Sequence, residues 1–336
     1  MKASTHTLIA EVSALRDLTP SVREITLRLP AGMAAMAWQP GAHLQVQIDL
    51  HGQTVQRHYS LIPCAEPGCL RIAVKRAEPG RGGSQAMWRL QVGDTLDISE
   101  PLNHFSLDLQ ASAYLLVAGG IGITPLMSMA QALSQRAADV RMVYAARSAS
   151  EWAYQAQLQA LLGDRVQFVE GSQWQMEAAI ARLPAQAQAY VCGPSGLLHA
   201  MRHAWASAGR AEALLRFETF GNATSQDAPF AVCLPRHDMR FEVPPEASLL
   251  DAMELQGIQA MWGCRRGECG LCALPVLVLE GEIEHRDVFL SEHEKQSNAQ
   301  ICVCVSRVRG SITLDTAFRP DAFGAAASQT TATLNP

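Results

Sequence analysis

Gly263-Cys264-Arg265-Arg266-Gly267-Glu268-Cys269-Gly270-Leu271-Cys272 decides how this chain is read. The spacing is C-x4-C-x2-C, with two more cysteines, Cys302 and Cys304, downstream. A [2Fe–2S] cluster needs four thiolates converging on one compact object, and a short loop folded over it can supply three of them. Gly263, Gly267 and Gly270 let the backbone curl closely and aim N–H groups at the sulfurs. A zinc site is the competing reading, but zinc sites usually show paired C-x2-C units and only one is present. The chain has nine cysteines. Cys64, Cys69, Cys192 and Cys233 are scattered, so the crowding of the other five marks a metal site rather than a disulfide framework.

The fourth ligand is one of two residues. Ile301-Cys302-Val303-Cys304-Val305 reads as a strand, whose period of two puts both cysteines on one face, about 6.6 Å apart. Alternation does not choose between them.

Outward from this loop, 336 residues make two or three domains the expectation. With 48% hydrophobic and 18% charged residues the composition is that of a globular protein. A net charge of −5 and the lack of a basic stripe argue against a nucleic-acid partner. The N-terminus lacks the apolar core of a signal peptide, and no span has the apolar length of a membrane helix, which together point to the cytoplasm.

Residues 1–108 read as short strands broken by Pro and Gly clusters, the texture of an antiparallel β-barrel. Residues 109–221 alternate apolar runs (113–119, 141–146, 166–170, 188–193, 213–218) with helical stretches. That order implies an α/β domain with a parallel sheet. Residues 222–229 read as a linker and 230–319 as a third, α+β domain carrying the cysteine loop. Residues 320–336 form an Ala-, Ser- and Thr-rich tail.

Two further constellations suit cofactors. Arg57-His58-Tyr59-Ser60 ends a strand, so Arg57 and Tyr59 share a face, and a cation beside an aromatic ring suits a phosphate and a flat heterocycle. Gly80-Arg81-Gly82-Gly83-Ser84 enters a helix, where free N–H groups favour a phosphate. Gly119-Gly120-Ile121-Gly122-Ile123-Thr124-Pro125 follows an apolar strand and opens a helix, with Thr124 expected as N-cap and Pro125 as first helical residue. The spacing is not G-x-G-x-x-G, but glycines at a helix start beneath a parallel strand suit a pyrophosphate. Cys192-Gly193-Pro194 ends another strand of the same sheet, where Cys192 reads equally well as a small buried thiol.

Residues 230–318, with His285-Arg286-Asp287 and Cys304-Val305-Ser306-Arg307, resemble a plant-type ferredoxin domain of β-grasp type. It is the version that ends the phthalate dioxygenase reductase and vanillate demethylase reductase family, and the upstream segments resemble that family in the same order. The resemblance implies that Arg57 holds the flavin phosphate, Tyr59 packs on the isoalloxazine and Ser60 bonds near its reactive nitrogen. The strand with Ala73 and Lys75 would touch the ring, and Gly82, Gly83 and Ser84 would take the phosphate. Gly119, Gly120, Gly122, Thr124, Pro125, Cys192, Gly193 and Pro194 would bind NADH, with Thr124 and Cys192 beside the nicotinamide and Phe220 shielding it. The ligand that directly precedes Val-Ser-Arg is Cys304, to join Cys264, Cys269 and Cys272. FMN is the flavin expected in this family, with FAD open.

Arg147, after the second parallel strand, suits the extra phosphate of NADPH, whereas the family implies NADH. The function implied is that of a monomeric reductase component passing electrons from NADH through flavin and cluster to a Rieske-type oxygenase. A reductase for a cytochrome P450 or soluble ferredoxin, and a non-enzymatic electron carrier, are the alternatives.

Overall fold

A computed structural model describes residues 7–30, 36–50, 52–77, 82–171, 174–220, 227–245 and 247–316. Gly80, Arg81, most of the expected linker and the expected tail lie outside them. The chain divides between Gln226 and Asp227 into two compact units.

The first unit begins with a six-stranded antiparallel sheet. Its strands are β1 (Thr7–Thr19), β2 (Val22–Arg28), β3 (His43–Leu50), β4 (Gln53–Ser60), β5 (Cys69–Lys75) and, after helix α1 (Gly83–Arg89), β6 (Thr95–Ser99). The order is β4-β3-β6-β1-β2-β5. A bridge from Ile62 to Arg71 brings the chain beyond β4 back onto β5 and rolls the sheet into a barrel. Alternation drives this: Leu44, Val46 and Ile48 of β3 turn inward to meet Ile25, Leu27, Ile72 and Ile98.

A parallel sheet follows, built from β7 (Tyr114–Gly119), α2 (Ile123–Gln135), β8 (Val140–Ala146), α3 (Gln155–Leu162), β9 (Val166–Glu170), α4 (Met176–Ala181), β10 (Gln188–Cys192), α5 (Ser195–Ser207) and β11 (Leu215–Glu218). The order is β11-β10-β7-β8-β9. Every residue of β7 and β10 is buried, as central parallel strands covered on both faces must be. Barrel residues Val22, Ile62, Ala73 and Phe105 belong to the same buried cluster as the core of this sheet, so barrel and sheet form one body.

The second unit holds β12 (Phe230–Leu234), β13 (Met239–Val243), α6 (Leu249–Leu255), β14 (Ala273–Glu284), α7 (Glu292–Ser297), β15 (Gln300–Cys302) and β16 (Arg307–Leu314). Its sheet order is β13-β12-β16-β14-β15, with β12 and β16 parallel and the other pairings antiparallel. Both helices open on capping boxes, Ser248 with Asp251 and Ser291 with Glu294.

Two local expectations need correction. Residues 301–305 are not one strand: β15 ends at Cys302, whose carbonyl accepts the N–H groups of Val305 (3.3 Å) and Ser306 (3.1 Å), and the chain turns. Thr124 is not an N-cap and Pro125 is not the first helical residue. A 3₁₀ turn at Gly120–Gly122 starts the helix early, so α2 begins at Ile123 with Gly122 as its cap. The Thr124 hydroxyl instead donates back to the Ile121 carbonyl at 3.0 Å.

Candidate functional site

The end of β4 and the start of α1 meet. A Cβ placed on Gly83 would stand 3.1 Å from Arg57 Nε, so the missing side chain makes room for the guanidinium. Gly82 caps α1 in the left-handed region, φ 76°. Ser84 points its hydroxyl back to accept the Ala77 N–H (3.1 Å). Arg57 lies opposite Val46 and Tyr59 opposite Leu44 across β3, so the two do share a face. Tyr59 is half-buried, and desolvation raises its hydroxyl pKa. Ser60 is buried and its Oγ has no hydrogen-bond partner. A buried hydroxyl without a partner is costly, and a polar heterocycle along β4 would satisfy it, which is the fit expected for a flavin. Ala73 is buried on β5, and Lys75 ends that strand half-exposed.

The second cradle lies at the carboxyl ends of β7 and β10. A Cβ on Gly119 would stand 2.7 Å from Pro194 Cδ, and one on Gly193 would stand 3.0 Å from Gly119 Cα. A Cβ on Gly122 would fall 2.1 Å from the Cys192 carbonyl oxygen. Only glycines let these two loops touch, and Gly120 alone of the four needs a positive φ, 55°. Thr124 and Cys192 are buried beneath the contact. Phe220 packs on the edge of the same core, two residues beyond Glu218, which pairs with Cys192 across β10 and β11.

Barrel and sheet approach each other at these cradles. Lys75 Nζ lies 3.9 Å from the Cβ position of Gly120 and 3.1 Å from Glu151 Oε2. Ser21 donates to the same carboxylate. Burial raises the Glu151 carboxyl, but the bonds from Ser21 and Lys75 outweigh it and hold the group below its ordinary value. A second tie joins the Tyr154 hydroxyl to buried Glu24 at 2.8 Å. Sequence reasoning missed both ties. Arg147 is exposed at the end of β8, followed by Ser148 and Ser150, whose hydroxyls are 2.9 Å apart.

In the second unit the thiols stand as two pairs. Cys272 Sγ is 3.1 Å from Cys304 Sγ, and Cys264 is in hydrogen-bond contact with Cys269. The N–H groups of Arg266 (3.4 Å) and Glu268 (3.3 Å) point at Cys264 Sγ, and that of Cys264 (3.4 Å) at Cys269 Sγ. Two irons, each needing two thiolates, suit this arrangement. Gly270 has φ 72°, and a Cβ there would strike the Phe289 ring at 2.3 Å. Burial pushes the Cys264 thiol up to about 11, whereas the Cys302 and Cys304 thiols hold Cys272 down at about 3. Both downstream cysteines reach Cys272, but their other neighbours differ. Cys304 faces the loop, near the Gly267 N–H and Cys264, while Cys302 faces Asp287. Cys269 is the exposed member of the group.

Three family models match the chain. These are the oxidoreductase FAD-binding domain over residues 10–107, the oxidoreductase NAD-binding domain over 116–203 and the 2Fe-2S iron-sulfur cluster binding domain over 235–309. The chain is 36% identical over 311 residues to the putative toluene-4-sulfonate monooxygenase system reductase subunit TsaB2 of Comamonas testosteroni, covering 89% of this chain and 95% of that one. It is 37% identical over 309 residues to the heme-dependent oxidative N-demethylase beta subunit of Ectopseudomonas mendocina strain ymp, covering 90% and 97%. The solved structure of phthalate dioxygenase reductase, described as a modular structure for electron transfer from pyridine nucleotides to [2Fe–2S], superposes with a TM-score of 0.76. Its identity is 30%, and the match covers 93% of this chain and 98% of that one.

Proposed function

The chain belongs to the family of flavin-, NAD- and [2Fe–2S]-binding oxygenase reductases that includes phthalate dioxygenase reductase, and we propose that it is the reductase component of a Rieske-type oxygenase system, drawing on NADH and acting as a cytoplasmic monomer. The observation that carries this reading is the approach of Lys75 on the flavin side to Gly120 on the nucleotide side, within one compact unit. The residues along β4, β5 and the start of α1 would hold the flavin, FMN in this reading, which when bound would supply hydride acceptance and single-electron release. The functional boundaries fall near residues 108, 221 and 229.

Each residue positions rather than reacts. Arg57 holds the flavin phosphate with Gly82, Gly83 and Ser84. Tyr59 and the backbone at Ala73 and Lys75 flank the ring, and Ser60 hydrogen-bonds to it. Gly119, Gly120, Gly122, Thr124, Pro125, Cys192, Gly193 and Pro194 seat the nicotinamide end of the nucleotide, and Phe220 keeps water from it. Arg147 lies at the ribose end. Cys264, Cys269, Cys272 and Cys304 ligate the cluster, and no general base is required.

The resemblance of the three segments to the dioxygenase reductase family favours a Rieske-type partner; the relative named a heme-dependent N-demethylase subunit favours a haem-containing one. The test is to reduce the purified chain with NADH beside each candidate oxygenase from its own genome. Appearance of a reduced Rieske signal in the partner supports the proposal. Electron delivery only to a haem protein overturns the Rieske assignment, and absence of NADH-dependent flavin bleaching overturns the whole reading.

A further inference from the structure

The strand that carries Lys75 towards the nucleotide side carries a second basic residue on the same face. Arg71 precedes Lys75 by four positions on β5, about 13 Å along the strand. It lies at the other tie between barrel and sheet, the one from the Tyr154 hydroxyl to buried Glu24. Glu24 Oε2 accepts that hydroxyl, and its Oε1 takes Arg16 through Nε at 3.1 Å and Nη2 at 3.0 Å. Arg71 Nε stands 3.7 Å from the same Oε1. It is buried and makes no hydrogen bond, while Arg71 Nη1 donates to the Pro63 carbonyl at 3.3 Å. Two guanidinium groups thus share one carboxylate, and these three are the charged groups that act on the Tyr154 hydroxyl. One positive charge is left over at the joint, and a buried donor without an acceptor is costly.

Beside Arg71 the joint opens into a cavity of about 400 Å³. That lies within the range of small-molecule sites, roughly 300–1,000 Å³. Ile62 of the barrel, Met127 of α2 and Leu161 of α3 give it apolar surface, and the Tyr154 ring forms part of the wall. Gln131 and Gln157, one on each helix, bring side-chain amides that can donate. Among the described residues of the wall, Arg71 alone is charged, and none belongs to either cofactor cradle.

We propose that this cavity is a binding site for a small organic monoanion, a carboxylic acid whose apolar body is the size of a single ring, separate from the flavin and nucleotide sites. The Arg71 guanidinium receives the carboxylate, whose two oxygens match its planar fork and whose single charge balances the one left over beside Glu24. The ring lies against Ile62, Met127 and Leu161, a wall that an inorganic anion would leave uncovered. An occupant there touches the barrel and both helices at once, so it fastens barrel to sheet.

The test uses the full-length protein with its cofactors and benzoate as the probe, followed by titration calorimetry and by thermal unfolding. Benzoate binds, and the melting temperature rises with its concentration, as for any ligand that binds only the folded chain. Benzamide, the same ring without the charge, binds at least tenfold more weakly, and inorganic phosphate does not compete. Saturating NAD⁺ leaves the benzoate affinity unchanged. Arg71→Gln lowers that affinity at least tenfold, and Ala160→Trp, which fills the cavity from α3 and leaves Arg71 in place, abolishes binding. Both variants keep the wild-type rate of ferricyanide reduction by NADH. No binding of benzoate, binding that survives either substitution, or displacement by NAD⁺ overturns the proposal. Equal binding of benzamide, or competition by phosphate, overturns the ligand class. Should Arg71→Gln fail to fold, Ala160→Trp decides alone, and none of these outcomes depends on which oxygenase the chain serves.

Discussion

The Cys192 carbonyl oxygen stands 2.1 Å from where Gly122 would carry a Cβ, closer than any real carbon approaches. The neighbour is backbone, so it cannot swing aside. Gly122→Ala forces the glycine turn away from the end of β10, and overpacking of this kind costs about 1–3 kcal/mol. The expected outcome is a lowered melting temperature together with flavin reduction by NADH slowed by at least about tenfold, the equivalent of about 1.4 kcal/mol. Dithionite should still reduce the cluster normally. Wild-type rates in stopped flow would place the nucleotide elsewhere.

Arg57 fills the space left by the missing side chain of Gly83, which holds its guanidinium at the entry to α1. Hydrogen bonds to charged groups contribute about 1.5–3 kcal/mol, so Arg57→Ala should weaken flavin binding by roughly 10- to 100-fold with little loss of fold stability. Arg57→Lys should recover part of it, as a point charge without the planar fork. Flavin occupancy after dialysis is the measurement, and full occupancy in the alanine variant would remove Arg57 from the site.

The tie between Lys75 and Glu151 makes a pH prediction. Glu151 has a lowered carboxyl pKa in the folded protein. Its stabilising contribution is therefore fully present above the unfolded value of about 4.3 and is lost as pH falls through the lowered folded value. Lys75→Met removes the part of it that the ion pair supplies and leaves the hydrogen bond from Ser21. The variant should unfold more readily than wild type at neutral pH, with the difference closing as the medium is acidified. Because both groups are partly exposed the effect is modest, of order 1 kcal/mol or less. A stability gap that stays constant into strong acid would mean the ion pair is not its source.

What could be read from the sequence follows the physics of each signal. The strands of the barrel and of the parallel sheet were legible because alternation and unbroken apolar runs are local patterns, and the cysteine loop because its three cysteines lie within ten positions. The capping box Ser291–Glu294 is a local signal of the same kind for α7. The 3₁₀ turn ahead of α2 and the break after Cys302 are set by backbone bonds that leave no pattern in residue type. The ties between barrel and sheet were invisible for a different reason: Ser21 and Glu151 are 130 positions apart, Lys75 and Glu151 76 apart, and only the folded chain makes them neighbours. The glycines were read as room for a phosphate. At Gly119, Gly122 and Gly193 the structure gives them a prior task, letting two loops touch.

The break after Cys302 sharpens the choice of fourth ligand. Were 301–305 a strand, Cys302 and Cys304 would present their thiols alike. Instead Cys302 stays in β15 opposite Ala273, fully buried, while Cys304 rides on the turn, with the Gly267 N–H and Cys264 among its neighbours. Both reach Cys272, but only Cys304 also faces the loop that carries Cys264. Cys304→Ser should therefore lose or severely destabilise the cluster, because a hydroxyl does not replace a thiolate on iron. Cys302→Ser should keep its iron and the EPR signal of the reduced cluster, and show only the cost of placing a hydroxyl in a buried strand, about 1–3 kcal/mol if it finds no partner. Iron content and EPR of the two variants, purified without oxygen, make the comparison. Loss of the cluster in Cys302→Ser with retention in Cys304→Ser would move the ligand into the strand.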